Sequence, residues 1–376
     1  MNFDRLINRR DSDSVKWNRY PQNVTPLWVA DMDFQAPDCI QDALSKIVTH
    51  NIYGYTRPTK SLFKAVTSML AEKYDWQVKA TSIVWLPGVT SALNISCRAF
   101  AENKKVLIST PIYPPFLGAP KFSEKEMVQV PLTKGATRYE MDFGEIQKQA
   151  KDSALYLLCN PHNPVGRVYE RDELKRLADI CLAHKMVICA DEIHCDLVLE
   201  KGKRHIPIAT LSPEIEQNTI TLMAPSKTYN TPSLGFAFAV IPNNKLRQQF
   251  RRVMKGIVPH PGSMGFAAAE AAYTHGEPWR LELVDYLGKN REFLQNFLRS
   301  ELPEIGYIPG EGTYLAWLDM RKLKLDNPIQ FFLKHGVGLS DGAEFAEPGF
   351  LRLNFGCPLQ TLKEGLLKMK KAVSEQ

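Results

Sequence analysis

Six short apolar stretches recur along the middle of the chain: IVWL (83–86), KVLIST (105–110), ALYLLC (154–159), MVICA (186–190), TITLM (219–223) and GFAFAVI (235–241). Each is four to seven residues long and rich in β-branched or aromatic side chains. Short runs that are apolar on both alternations suit strands covered on both faces. Helix-length segments lie between many of them. The clearest is ERDELKRLADICLAHK (170–185), with apolar residues at Leu174, Leu177, Ala178 and Cys181 and acids in its first turn. SALNISCRAFAEN (91–103) is another. This alternation predicts an α/β domain built on a largely parallel sheet. Past residue 260 the rhythm changes. GSMGFAAAEAAY and PWRLELVDYLGKNREFLQNFLRSEL (278–302) read as helices, and YLAWLDM and FLRLNF as later strands. A second, smaller α+β unit is expected there, joined by the N-terminal segment. The expected division is residues 1–46 with 283–376 for the small domain, and 47–282 for the large one.

At 376 residues, 44% hydrophobic and 23% charged, the chain has an ordinary globular composition and enough length for a sizeable core. The formal charge of +6 is modest, and the two dense basic runs, KGKRH (201–205) and RQQFRR (247–252), read as solvated faces, so no nucleic-acid partner is expected. Seven cysteines, several inside apolar runs, suggest reduced buried thiols rather than a disulfide framework. The opening residues show no apolar signal-peptide core, and no apolar run reaches a membrane-spanning length of about 18 residues. A cytoplasmic protein without a membrane partner is therefore expected.

In open α/β sheets, ligands bind beyond the carboxyl ends of the strands. IVWL is followed by PGVTSALN, a turn entering a helix, whose free N–H groups suit a phosphate. KVLIST is followed by PIYPPF and so by Tyr113, and ALYLLC by NPHNPVG. MVICA is followed by DEIH, and TITLM, after Ala224, by PSK with Lys227. One sheet edge thus collects a phosphate-type turn, an aromatic ring, an amide, a carboxylate and a lysine. No G-x-G-x-x-G or Walker A loop competes. His184, Cys189, His194 and Cys195 fit no tight zinc spacing, and no metal is expected. The collected groups are those pyridoxal phosphate requires. A lysine amine joins its aldehyde, and a carboxylate keeps the ring nitrogen protonated. An amide bonds the phenolic oxygen, an aromatic ring stacks on the ring face, and hydroxyl and N–H groups hold the phosphate.

The ordered set GVTSALN, PIYPPF, NPHNPVGRVY, DEIH, PSKTYN and RLNFGCP resembles fold-type I pyridoxal-phosphate enzymes of the aminotransferase class I/II superfamily. RRDSDSVKW, WVADMDF, YGYT and DEIHCDL resemble its MalY/PatB group of cystathionine β-lyases and cysteine C–S lyases. The resemblance covers nearly the whole chain. It implies the type I fold, with a seven-stranded, mostly parallel sheet in the large domain. It implies Lys227 as the amine linked to the cofactor and later the base at Cα, Asp191 on the ring nitrogen, and Asn163 on the phenolic oxygen before a cis Pro164. Tyr113 would stack on the ring, with Val89, Thr90 and Ser226 on the phosphate. His194 takes the place of a tyrosine near the phenolic oxygen. Tyr55 would reach the site from a neighbouring subunit, which makes a homodimer necessary. Arg352 would clamp the α-carboxylate of an amino-acid substrate, with Asn163, Tyr55, Ala30 and Asp31 also facing that substrate.

Plainer readings stand beside these. Asp191 suits a strand-end cap, Asn163 a turn, Tyr113 and Tyr55 core or interface aromatics, and His194 a core histidine. Arg352, in an apolar run, requires an anion, either a structural acid or a substrate. Two positions depart from the superfamily. The serine three before the lysine and the arginine eight after it, both on the phosphate, are here Ala224 and Gly235. The C–S lyase group tends to lack that arginine. The expected activity is β-elimination on sulfur amino acids, giving pyruvate, ammonia and a thiol. Transamination is the alternative, and a regulatory partner-binding role is a second one.

Overall fold

The computed structural model describes residues 1–101 and 104–376. Seven strands form the main sheet: β1 (Ile83–Leu86), β2 (Lys105–Thr110), β3 (Met127–Pro131), β4 (Ser153–Cys159), β5 (Val187–Asp191), β6 (Thr219–Met223) and β7 (Ala237–Val240). Their order is β1-β7-β6-β5-β4-β2-β3. All neighbours run parallel except β7, which lies antiparallel between β1 and β6. The six expected strands are all present. The seventh, β3, was not expected. It lies at the sheet edge with three of its five residues half-buried or exposed before a terminal pair, and so lacks the all-apolar signature of a covered strand.

The strict alternation of side chains divides the core by face. Val106 and Ile108 of β2 join one cluster with Leu155, Leu157 and Cys189, while Leu107 joins another with Tyr156, Leu158 and Ile188. At the far end of the sheet, Trp85, Met223 and Phe238 pack with Leu62, Val66 and Leu70. The last three come from α2 (Lys60–Tyr74), which follows α1 (Asp38–His50). On the strand connections lie α3 (Val89–Phe100), α4 (Pro114–Phe122) and α5 (Arg171–Ala183). A capping box between Glu170 and Glu173 starts α5. The expected continuation of α3 to residue 103 is not seen: the helix ends at Phe100, and positions 102 and 103 lie outside the described residues.

Two further helices, α6 (Ser263–His275) and α7 (Glu277–Glu301), lead to an antiparallel sheet. Its strands are β8 (Gly306–Tyr307), β9 (Leu315–Asp319), β10 (Ser340–Asp341) and β11 (Phe350–Asn354), in the order β8-β9-β11-β10. The N-terminal segment is stitched to it. Thr25–Pro26 pairs in parallel with Val337–Gly338, and Asn354 donates its backbone N–H to the Leu27 carbonyl at 2.8 Å. Leu27 and Met32 share a core cluster with Leu315 and Leu353. Residues 28–34 then run as a strap, without helix or strand, toward the carboxyl edge of the main sheet.

Candidate active site

Strand order dictates the arrangement. Lys227 follows β6, Asp191 ends β5, Asn163 follows β4 and Tyr113 follows β2, four consecutive neighbours in the sheet. The antiparallel β7 pairs Ala237 with Leu86 of β1. The turn Pro87–Gly88 and the first turn of α3 therefore come to the same edge. Val89, buried, is the first residue of that helix, and Thr90 beside it is exposed. Gly88 offers no side-chain cap, so the first N–H groups of α3 are free for a ligand. Ser226 is half-buried, immediately before Lys227.

Lys227 donates from Nζ to the carbonyl of Ala30 at 2.6 Å. Burial and the positive charge of Arg352 lower its pKa to about 8, against the pull of Asp31 and Asp191. Asp191 is buried and pushed up to about 7, with the Ile193 N–H and Lys227 opposing. One of its oxygens accepts from the backbone N–H of Ile193 at 3.0 Å, so the strand-end cap is real, and it coexists with a carboxyl in need of a cation. A protonated ring nitrogen meets that need. His194 is buried with Nδ1 unpartnered, and burial, Lys227 and Arg352 lower its pKa to about 3. It is a neutral ring in the site, 6.1 Å from that of Tyr314. Tyr113 caps the start of α4, donates its backbone N–H to the Asn163 carbonyl at 3.1 Å, and has its hydroxyl pKa raised by burial. The bond between Asn163 and Pro164 is cis.

Arg352 resolves the question the sequence raised about its anion. It is 4% exposed, and its partners are all uncharged. They are the Asn163 side-chain oxygen at 3.1 Å, the Trp28 carbonyl at 3.0 Å and the Ser340 hydroxyl at 3.4 Å. Nε has no partner among the described residues, and burial lowers the guanidinium's pKa to about 10. A buried cation held by neutral groups alone is costly unless an anion joins it. Those same contacts tie Arg352 to the amide of Asn163.

The strap Trp28–Phe34 closes the site. Asn354 donates to the carbonyls of Val29 and Asp31, and Tyr314 to that of Ala30. Asn230 donates to those of Met32 and Phe34. Asp31 forms an ion pair with Arg9 through one oxygen at 2.6 Å, while its other oxygen is buried and unpartnered. Behind it, Lys16, with a side chain 0% exposed, pairs with Asp33 at 2.8 Å. Arg9 and the Trp17 indole complete the shell of Asp33. Ala30 and Asp31 are thus at the site. Tyr55 touches none of it within this chain: it is fully exposed in an irregular segment at 51–59. Sequence reasoning missed Tyr314, Ser340, Asn230 and Asn354. Asn354 and Asn230 lay inside RLNFGCP and PSKTYN; the other two carried no motif. The KGKRH run is also less solvated than expected. His205 is buried against Glu192 at 2.8 Å, and Lys203 pairs with Glu311 at 2.6 Å.

A lysine, a buried carboxylate and an amide at one sheet edge, with a buried arginine brought to the amide by the second sheet, define a fold-type I enzyme site fitted to pyridoxal phosphate. The chain belongs to the aminotransferase class I and II family, whose profile matches residues 22–368. It is 36% identical to the cystathionine β-lyase PatB of Bacillus subtilis over 392 aligned positions, covering 100% of both chains. Among solved structures, OvoB superposes with a TM-score of 0.97 at 41% identity over 100% of each chain. Cystalysin from Treponema denticola, which contains pyridoxal 5'-phosphate, superposes with a TM-score of 0.96 at 31% identity, covering 100% of this chain and 99% of that one.

Proposed function

We propose that the chain is a pyridoxal-phosphate-dependent carbon–sulfur lyase, cleaving cystathionine or cysteine S-conjugates to pyruvate, ammonia and a thiol. The observation that carries this reading is Arg352, a buried cation without an acid, bonded to Asn163 and close enough to Lys227 to depress its pKa. When bound, pyridoxal phosphate supplies an aldehyde that joins amines and a conjugated ring that accepts the electron pair of a broken Cα–H bond. The protein's residues do the rest. Arg352 holds the substrate carboxylate through two N–H groups and so fixes which Cα bond faces the ring. Lys227, with a pKa of about 8, is neutral often enough near neutrality to take the Cα proton. Asp191 would hold the proton of the ring nitrogen, and Tyr113 would pack at the ring. As the Cα–H bond breaks, the Cβ–S bond breaks with it; the sulfur leaves as a thiolate that takes up a proton, and water hydrolyses the three-carbon remainder to pyruvate and ammonia.

The lyase assignment rests on the relatives and on Gly235. That glycine lies in the left-handed region at φ 60, where an arginine is strained whatever the space around it. The phosphate site therefore uses fewer charges than an aminotransferase of the superfamily pattern. Tyr55, fully exposed here, is assigned to the site of a second copy, making the homodimer the working unit. The division into 1–46 with 283–376, and 47–282, is part of the same reading, supported by the two separate sheets, while the apolar clusters cross it: Leu197 and Trp279 pack with Leu315, and Trp317 and Phe350 with Leu107. Seven free cysteines, six of them buried, support work in a reducing compartment, the cytoplasm. No helix among the described residues is long and apolar enough to cross a membrane.

Purified protein incubated with L-cystathionine, with and without an added 2-oxo acid, tests the activity. Pyruvate and thiol released without the oxo acid are expected; amino-group transfer alone overturns the reading. Lys227→Ala is expected to abolish both activity and the visible absorbance of the lysine-linked cofactor.

A further inference from the structure

Several carbonyls of the strap accept from two side chains at once, and that of Ala30 is the one that takes the Lys227 amine. Lys227 reaches it at 2.6 Å and the Tyr314 hydroxyl at 3.0 Å. The peptide that carries it has little room to turn, since Asn354 holds the carbonyls on either side at 2.6 and 2.7 Å. Tyr314 is itself 1% exposed, so its hydroxyl is fixed by packing.

We infer that the Ala30 carbonyl is the resting acceptor for the Lys227 amine whenever that amine is not joined to the cofactor, and that Tyr314 is a positioning residue that tunes this contact by sharing the oxygen. The inference rests on the pyridoxal-phosphate reading above. An amine that gives one N–H to a fixed carbonyl keeps its lone pair, when neutral, directed away from the strap and free to take a proton from a bound substrate. A released lysine on four rotatable bonds is otherwise free to wander, and fixing it reduces the entropy lost on reaching Cα. The second donor matters because two donors on one oxygen compete for its electron density, and each bond is weaker than either alone. The ammonium form of Lys227 is the stronger donor and loses most by sharing. Tyr314 therefore favours the neutral amine, in the same direction as the burial and the Arg352 charge that bring this lysine to about 8.

Tyr314→Phe tests this, because it keeps the buried ring and removes only the hydroxyl. The full-length chain, stripped of cofactor, is mixed with pyridoxal phosphate across the neutral to alkaline range. Recombination is followed by visible absorbance, since only the neutral amine joins the aldehyde. The pH midpoint is expected to rise in Tyr314→Phe by about half a unit, the scale of one weak neutral hydrogen bond. Trp17→Phe loosens the same strap at Asp33, where the indole donates at 2.8 Å, without touching Ala30 or Arg352. Its midpoint is expected at the wild-type value. An unchanged midpoint in Tyr314→Phe, or equal shifts in both variants, overturns the inference. Competitive reductive methylation of Lys227, quantified by mass spectrometry, reads the same midpoint with no cofactor present. A chain that takes up no pyridoxal phosphate yet shows the methylation shift sinks the cofactor reading and leaves the Ala30 contact standing.

Discussion

In the proposed function, substrate recognition turns on Arg352, a buried arginine whose partners are an amide, a carbonyl and a hydroxyl. Arg352→Lys keeps the charge but replaces a planar fork with a point donor. Charge-assisted bonds of this kind contribute about 1.5–3 kcal/mol each, so KM for the amino acid is expected to rise by roughly ten- to a hundredfold. The absorbance of the bound cofactor should be unchanged, which separates a lost clamp from a lost site; steady-state kinetics beside a visible spectrum decides it. Histidines set a second expectation. His162, between the Pro111 carbonyl and the Tyr169 hydroxyl, is lowered to about 4 by burial, and His194 to about 3. Both bind a proton more tightly in the unfolded chain, near its ordinary value of about 6.5. Their contribution is complete above that value and is lost as pH falls through the window down to the folded values, at up to about 1.4 kcal/mol per pH unit for each ring. Denaturant midpoints of the cofactor-free chain measured across that window should fall on acidification, and less steeply in His194→Asn. Lys227, Asp191, Asn163 and Arg352 were legible in the sequence because each is a polar residue interrupting or ending an apolar run. Tyr314 and Ser340 were not, because they act on backbone carbonyls, which are the same at every position.

Among the elements, the strap depends on an ion cluster far from any strand end. Arg9, Lys16, Asp31 and Asp33 balance two positive charges with two negative ones, and Lys16 is wholly inside. Removing Lys16 leaves Asp31 and Asp33 against Arg9 alone, at somewhat less than the cost of a fully broken buried pair, typically about 3–5 kcal/mol. Lys16→Met is expected to lose stability on that scale in urea titration, with Lys16→Arg recovering much of it. The cluster explains why RRDSDSVKW was recognisable as a motif and yet assigned no role. Its residues Arg9, Lys16 and Trp17 bond the carbonyls and carboxylates of Trp28–Phe34 and hold that strap in place. At the same scale, the central strands were readable from composition and the edge strand β3 was not. MVQVP is half-exposed, so burial imposes no continuous apolar run on it. The reversal of β7 was equally silent, since an antiparallel strand covered on both faces has the same composition as its parallel neighbours.

At the scale of the whole molecule, the chain exposes Ile52, Tyr53 and Tyr55 on one irregular segment, and Ile257 elsewhere. Tyr55 finds no partner among the described residues of its own chain, which supports its proposed place across a two-fold axis. Mixing Lys227→Ala subunits with Tyr55→Ala subunits provides the test. Each variant alone should be nearly inactive, whereas mixed dimers carry one site with both residues intact. About a quarter of wild-type activity is expected at equal mixing, if subunits exchange freely and pair at random. Activity no greater than the mean of the two separate variants would place Tyr55 within its own subunit or outside the site.

The strap also fixes when this protein becomes competent. Trp28 meets Arg352 across 324 positions of chain, and Ala30 meets Tyr314 across 284. Contacts so distant along the chain are slow to form, and domains made first fold first during synthesis. The lysine, the aspartate and the amide emerge on the central sheet while the arginine strand is still untranslated. The strap, made early, therefore lacks its partners Tyr314 and Arg352 until synthesis has passed β11.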